Sequence, residues 1–264
     1  MSWQEFEEDC YKHLKKLYST FARFEYKGKS DSTVPDILVE SNNGSTFYVE
    51  AKHSPAQSGQ FVLLPNILTK EFDYSCKNTT SSDKFSNQII NYMNHFFEKY
   101  KEAGTKGIEI NFPNCENVFF DWIIHKYRSS GVKYIITNGY NIIKLENIPM
   151  FFNVSATYRV KRSGSSSVGK KKLSTIQHYI ENNYSISNIY SESDKLYVEC
   201  NLPMHNKRFI LDGTEYMFSL REDIYEIRKL SGTFNANVIF SLKLKDNHPP
   251  FDNLDFENYN QNHA

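Results

Sequence analysis

The run VPDILVESNNGSTFYVEAK, residues 34–52, decides how this chain folds. Two apolar segments, 36–40 (DILVE) and 46–52 (TFYVEAK), flank SNNGS, whose Asn and Gly residues suit a tight turn. The run therefore reads as an antiparallel hairpin. Side chains alternate faces along a strand, which puts Glu50 and Lys52 on one face and Val49 and Ala51 on the other. Pairing through the turn brings Asp36, at the start of the first strand, beside Glu50 and Lys52 at the end of the second. Pro35 suits a strand's first position, where its missing N–H is harmless.

Before the hairpin, residues 2–21 read as an amphipathic helix. Ser2 and Glu5 make a capping box, and Trp3, Phe6, Cys10, Leu14, Leu17 and Phe21 recur at helical steps. Glu5, Glu8 and Asp9 fall on the far side of the wheel, so Glu7, at the edge of the apolar stripe, is the acid placed to face inward. A strand at 21–27 follows. After the hairpin, a polar loop is expected to about residue 82, then a helix with Phe85, Ile89, Met93, Phe96 and Tyr100 on one side and Gly104 behind it. A strand at 107–113, a helix over 116–128 and strands at 132–137 and 141–145 come next. Beyond Pro149 lie longer strand candidates with one helix at 173–182, and the last stretch is expected to be irregular. The fold class is thus α/β, a mixed central sheet flanked by helices with a β-rich C-terminal extension. The expected parts are a core at 1–148, a β-rich part at 149–245 and an irregular acidic tail at 246–264.

Composition narrows the function. Hydrophobic residues make up 39% and aromatic residues 15%, globular values that exclude wholesale disorder. With 31 basic and 31 acidic residues, any affinity for nucleic acid must come from charge segregation. Cys10, Cys76, Cys115 and Cys200 are scattered, without a CxxC pair or neighbouring histidines, which argues against zinc or a disulfide framework. No apolar run is long enough to span a membrane, so a soluble cytoplasmic protein is expected.

Two carboxylates and a lysine gathered at one sheet end are costly, because the carboxylates repel and raise each other's pKa. A divalent cation relieves that. Oxygen ligands from Asp36 and Glu50, with water and a phosphate, suit Mg²⁺. Metal-bound water is a nucleophile, and Lys52 is placed to orient it or to stabilise developing charge, which points to phosphodiester hydrolysis.

The PD at 35–36 and the EAK at 50–52 resemble the motif of the PD-(D/E)xK nuclease superfamily, and the element order over residues 1–140 is similar to that superfamily's core. The resemblance implies that Asp36 and Glu50 bind metal and that Lys52 is catalytic. Some members add an acid from the first helix, here Glu7. Others carry Gln-x-x-x-Tyr on the following helix, here Gln88 and Tyr92 in QIINY. It further implies a type II restriction endonuclease that cuts specific sites in double-stranded DNA as a homodimer. A repair or junction-resolving nuclease of the same superfamily is the alternative within the class, and a non-catalytic DNA-binding protein the alternative outside it.

A basic segment is expected to contact DNA, the alternative being a solvated charge run on an exposed loop. Arg159, Lys161, Arg162, Lys170, Lys171 and Lys172 flank a Gly/Ser run that includes Ser163, and no acid interrupts them. Such a loop grips phosphates through side chains and backbone N–H groups. Gly164, Gly169 and Lys170 match phosphate-loop spacing, but Lys171 stands where a Ser or Thr would hold magnesium, so no nucleotide cofactor is expected. Gln57 and Gln60 follow the motif closely enough to reach a base edge or phosphate, although an ordinary polar loop accounts for them more simply. His53 is expected to point away from the Glu50 and Lys52 face.

Overall fold

A computed structural model describes residues 2–28 and 34–261. Two compact units emerge, residues 1–159 with 236–264 and residues 160–235.

In the first unit, helix α1 (Trp3–Tyr18) starts at the expected capping box. The Ser2 hydroxyl accepts from the Glu5 N–H at 3.2 Å and the Glu5 carboxylate accepts from the Ser2 N–H at 2.6 Å. Strands β1 (Ala22–Tyr26), β2 (Ile37–Ser41) and β3 (Thr46–Lys52) form an antiparallel meander in which Ile37 pairs with Val49 and Val39 with Phe47. Those four side chains join Phe6, Cys10 and Leu14 of α1 in one core.

The expected loop after β3 is instead a hairpin, β4 (Ala56–Asn66) and β5 (Glu71–Tyr74). Its ladder partner lies far along the chain, where residues 237–242 pair with β4. Short-range polarity cannot reveal such pairing, and Gly59 and Pro65 disguise the strand further.

Helices α2 (Lys84–His95) and α3 (Phe97–Tyr100) replace one long helix, with Phe96 non-helical between them. Strand β6 (Ile108–Ile110), helix α4 (Cys115–Ser129) and strands β7 (Val132–Thr137) and β8 (Asn141–Lys144) follow as expected. β7 pairs parallel with β3 and completes a mixed sheet in the order β1-β2-β3-β7-β8. Ile135 and Ile136 of β7 are both buried, as befits a parallel strand covered on two faces. The short α5 (Ile148–Phe151) leads into β9 (Phe152–Arg162).

The second unit holds β10 (Ser165–Ser166), α6 (Leu173–Asn183), β11 (Asn188–Glu192), β12 (Lys195–Glu199), β13 (Arg208–Leu211), β14 (Thr214–Arg221) and β15 (Ile224–Leu230). The strands make an antiparallel sheet, and Ile176 and Ile180 of α6 are buried with Leu196, Phe218 and Ile227. The C-terminal half is thus rich in strands, as the sequence implied.

The chain returns through β16 (Phe234–Leu244) and ends in α7 (Leu254–Gln261). β16 joins β5, β4, β9 and β6 in a second sheet of the first unit, so the β-rich part does not begin at residue 149 or end at 245. The irregular tail is also corrected, although residues 262–264 of it lie outside the described residues. α7 puts Phe256 into the first core, Tyr134 donates a 2.8 Å hydrogen bond to Asp255, and Asn43 donates one of 2.7 Å to the Tyr259 carbonyl. Burial of one aromatic ring outweighs the weak local helix signal. Among the described residues no helix is long and apolar enough to cross a membrane.

Candidate active site

The hairpin and α1 deliver Asp36, Glu50, Lys52 and Glu7 to one cleft of about 680 Å³ in the first unit. β3 sends Phe47, Val49 and Ala51 into the core and leaves Glu50 and Lys52 half-buried on the other face. The Lys52 ammonium donates to Glu50 at 2.6 Å. Asp36, one residue before β2, is buried, and its Oδ2 accepts the Ala51 N–H at 2.8 Å. The carboxyl is therefore pinned to the backbone between the two motif residues. Thr137 of β7 donates to the Lys52 carbonyl at 2.8 Å and holds the strand end in place.

Three carboxyls share this space with one paired lysine. Burial first, then Glu50, and lastly Glu7 push the Asp36 pKa up to about 8, against Lys52 and the Ala51 N–H. Glu7 is also raised, chiefly by burial; Lys52 and hydrogen bonds from Tyr26 and Asp36 oppose the rise. Tyr26 donates to Glu7 at 3.3 Å. Burial works against the Lys52 ammonium, but Tyr127, Glu50 and Asp36 hold its pKa above the ordinary lysine value.

The donors are all oxygen, and Glu50, Asp36 and Glu7 crowd negative charge that a cation would neutralise, so the residues fit a magnesium ion. Among the described residues no three His, Cys, Asp or Glu side chains form a ready metal cage. Asp36 and Glu50 alone would leave water and phosphate to complete the shell, within the few protein ligands magnesium usually takes.

Several residues arrive without a sequence signal. Tyr127, near the end of α4, stands beside Lys52, whose Nζ is 5.9 Å from the ring centroid, and Lys126 lines the same cleft. Nothing in a helix so far from the motif announces that contact. Gly28 matters for space, since a Cβ there would stand 2.9 Å from Glu7 Oε2 and 3.3 Å from Asp36 Oδ1. Gln57 and Gln60 line the cleft from β4, where Gln57 donates to Gln60 at 3.2 Å, so they are strand residues and not loop residues. His53 also lines it, because β3 ends at Lys52 and the alternation stops; its ring packs on Phe6 at 4.9 Å.

Gln88 is not brought to the site. It is exposed on α2 and absent from the cleft wall, while Tyr92 packs among Phe96, Tyr100 and Phe112. Helical spacing puts Gln88 and Tyr92 on one face but cannot say what that face meets.

The basic segment is more structured than a loop. Arg159 belongs to the first unit and the other five cations to the second. There, β10 pairs with β15, Arg162 is bound to Glu215, and Lys172 is 2.9 Å from Asp212. The Ser163 hydroxyl is engaged by Asn235 and Thr233. Lys161, Lys170 and Lys171 are exposed.

No protein-family model and no curated protein matches the chain. Among solved structures, the HhaI endonuclease in complex with DNA is similar to it, with 38% sequence identity over 98% of each chain and a TM-score of 0.78.

Proposed function

This chain belongs to the HhaI endonuclease family, and we propose that it is a Mg²⁺-dependent, sequence-specific endonuclease that hydrolyses double-stranded DNA as a type II restriction enzyme does. The observation that carries the reading is Asp36 held against the Ala51 N–H beside the Glu50 and Lys52 pair, in a cleft. Asp36 and Glu50 would hold the metal, which when bound supplies Lewis acidity and an activated water. Lys52 has three N–H donors. Glu50 engages one, which leaves two for the attacking water and a phosphate oxygen. Because Lys52 stays charged, it stabilises the negative charge that develops on the phosphate. Glu7, behind Asp36, supports the orientation of that carboxyl and takes part in its proton balance.

Lys161, Lys170 and Lys171 are the basic-segment residues best placed for phosphate contact, since they are exposed and Arg162 and Lys172 have acidic partners. A homodimer follows from the family resemblance, because a two-fold symmetric protein matches a two-fold symmetric site. Gln88, exposed on α2 and outside the cleft wall, is left out of the proposed machinery.

Incubation of the purified protein with phage DNA, in Mg²⁺ and in EDTA, tests the reading. Discrete Mg²⁺-dependent fragments are expected, and Lys52→Ala should lose them while keeping its fold by circular dichroism. A smear would point to a non-specific nuclease. DNA left intact under every divalent metal would sink the proposal.

A further inference from the structure

A second lysine reaches the cleft from α4 and has no role in the chemistry above. Trp122, Ile123 and Tyr127 are buried on the inward side of that helix. Lys126 follows Trp122 by one turn and lies along the indole, its Nζ 5.4 Å from the ring centroid. From the other side β4 comes close at Gly59, whose φ of +138° side chains rarely adopt. A Cβ at residue 59 would stand 2.7 Å from Trp122 Cζ3 and 3.2 Å from Lys126 Nζ, so only glycine lets the backbone approach this closely. The ammonium is thereby clamped between an indole and a strand backbone at the cleft wall.

Among the described residues, Lys126 forms no ion pair. The Glu50 carboxylate on the same cleft is occupied by Lys52 at 2.6 Å. Burial holds the Lys126 pKa below the ordinary lysine value, with Glu50 opposing and Lys52 adding to the shift. A partly desolvated cation without a counter-ion is costly and is relieved when an anion arrives. A flexible surface lysine would instead swing into water; here the indole and Gly59 remove that freedom.

We propose that Lys126 is a phosphate-binding residue of the cleft, its ammonium contacting a non-bridging oxygen of the DNA strand that passes Glu50 and Lys52. The inference rests on the reading of this cleft as a DNA-cleaving site. It assigns α4 a direct part in substrate binding, with Trp122 and Gly59 as positioning residues for the lysine.

The test uses the full chain with Lys126→Met, which keeps the apolar stem on Trp122, and Lys126→Arg, which keeps the charge. Binding of a fluorescein-labelled duplex of random sequence is measured by anisotropy in EDTA over a range of NaCl concentrations. Single-turnover cutting of phage DNA in Mg²⁺ is measured alongside. Lys126→Met should melt with the wild type, lower the slope of log K against log salt by about 0.9 and slow cutting by at least about tenfold. Lys126→Arg should restore the slope. Should the methionine variant melt early, Lys126→Gln is held to the same criterion. A slope equal to the wild type's overturns the assignment, whether or not the wild type cuts DNA. Wild-type protein that cuts nothing under any divalent metal would refute the nuclease reading alone, and the slope would still decide the role of Lys126.

Discussion

Replacing Asp36 with asparagine should stabilise the folded chain while abolishing cleavage. Burial, then Glu50, then Glu7 raise this carboxyl from 3.8 to about 8, so the fold resists its ionisation. A raised acid contributes its full stability below the unfolded value and loses it as pH climbs through the folded value. The penalty is therefore absent near pH 3.8 and complete above about 8. At 1.36 kcal/mol per pH unit this interval sets a ceiling of about 6 kcal/mol. Relaxation of the neighbouring carboxyls and entry of water reduce the expected gain to about 2 kcal/mol. Asparagine keeps an oxygen acceptor for the Ala51 N–H and carries no charge. In a chain of this length, about 1 kcal/mol moves Tm by roughly 2–4 °C. Calorimetry in EDTA should then show Asp36→Asn melting about 4–8 °C above the wild type at pH 8, with the gap closing toward pH 4. Added Mg²⁺ should raise the wild-type Tm and leave the variant's unchanged, because a ligand stabilises only the state that binds it. A variant that melts no higher than the wild type at pH 8, or a gap that does not change with pH, would refute the account of crowded carboxyls.

Two further outcomes follow from the packing and the charges. Phe256→Ala should cost about 3–5 kcal/mol, because its ring is buried in the first core; thermal melts would show the loss, and an unchanged Tm would mean α7 is not anchored there. Neutralising Lys170 and Lys171 together should lower the salt slope of DNA binding by about 1.8, while Lys172→Gln alone should change it little because Asp212 already holds Lys172. Equal effects from all three lysines would show that the ion pair does not matter to binding.

The motif's geometry is set by features that act over a few residues. Strand alternation and turn chemistry put Asp36, Glu50 and Lys52 together, and the capping box places α1 and, with it, Glu7. The loop expected after β3 failed for the opposite reason. Residues 56–62 of β4 take their ladder from residues 237–242, far along the chain, and α7 is held by Phe256 in the first core.

What the sequence alone determined, then, is the local geometry of the motif: which side chains share a strand face, and which face of α1 meets it. The tertiary structure decided which other groups surround that motif. It brought Tyr127 and Lys126 to the cleft, kept Gln88 away from it, and paired Arg162 and Lys172 with Glu215 and Asp212. The physical reason is range. Backbone periodicity is written in neighbouring residues, whereas burial and ion pairing depend on contacts between segments whose separation along the chain carries no signal of their meeting.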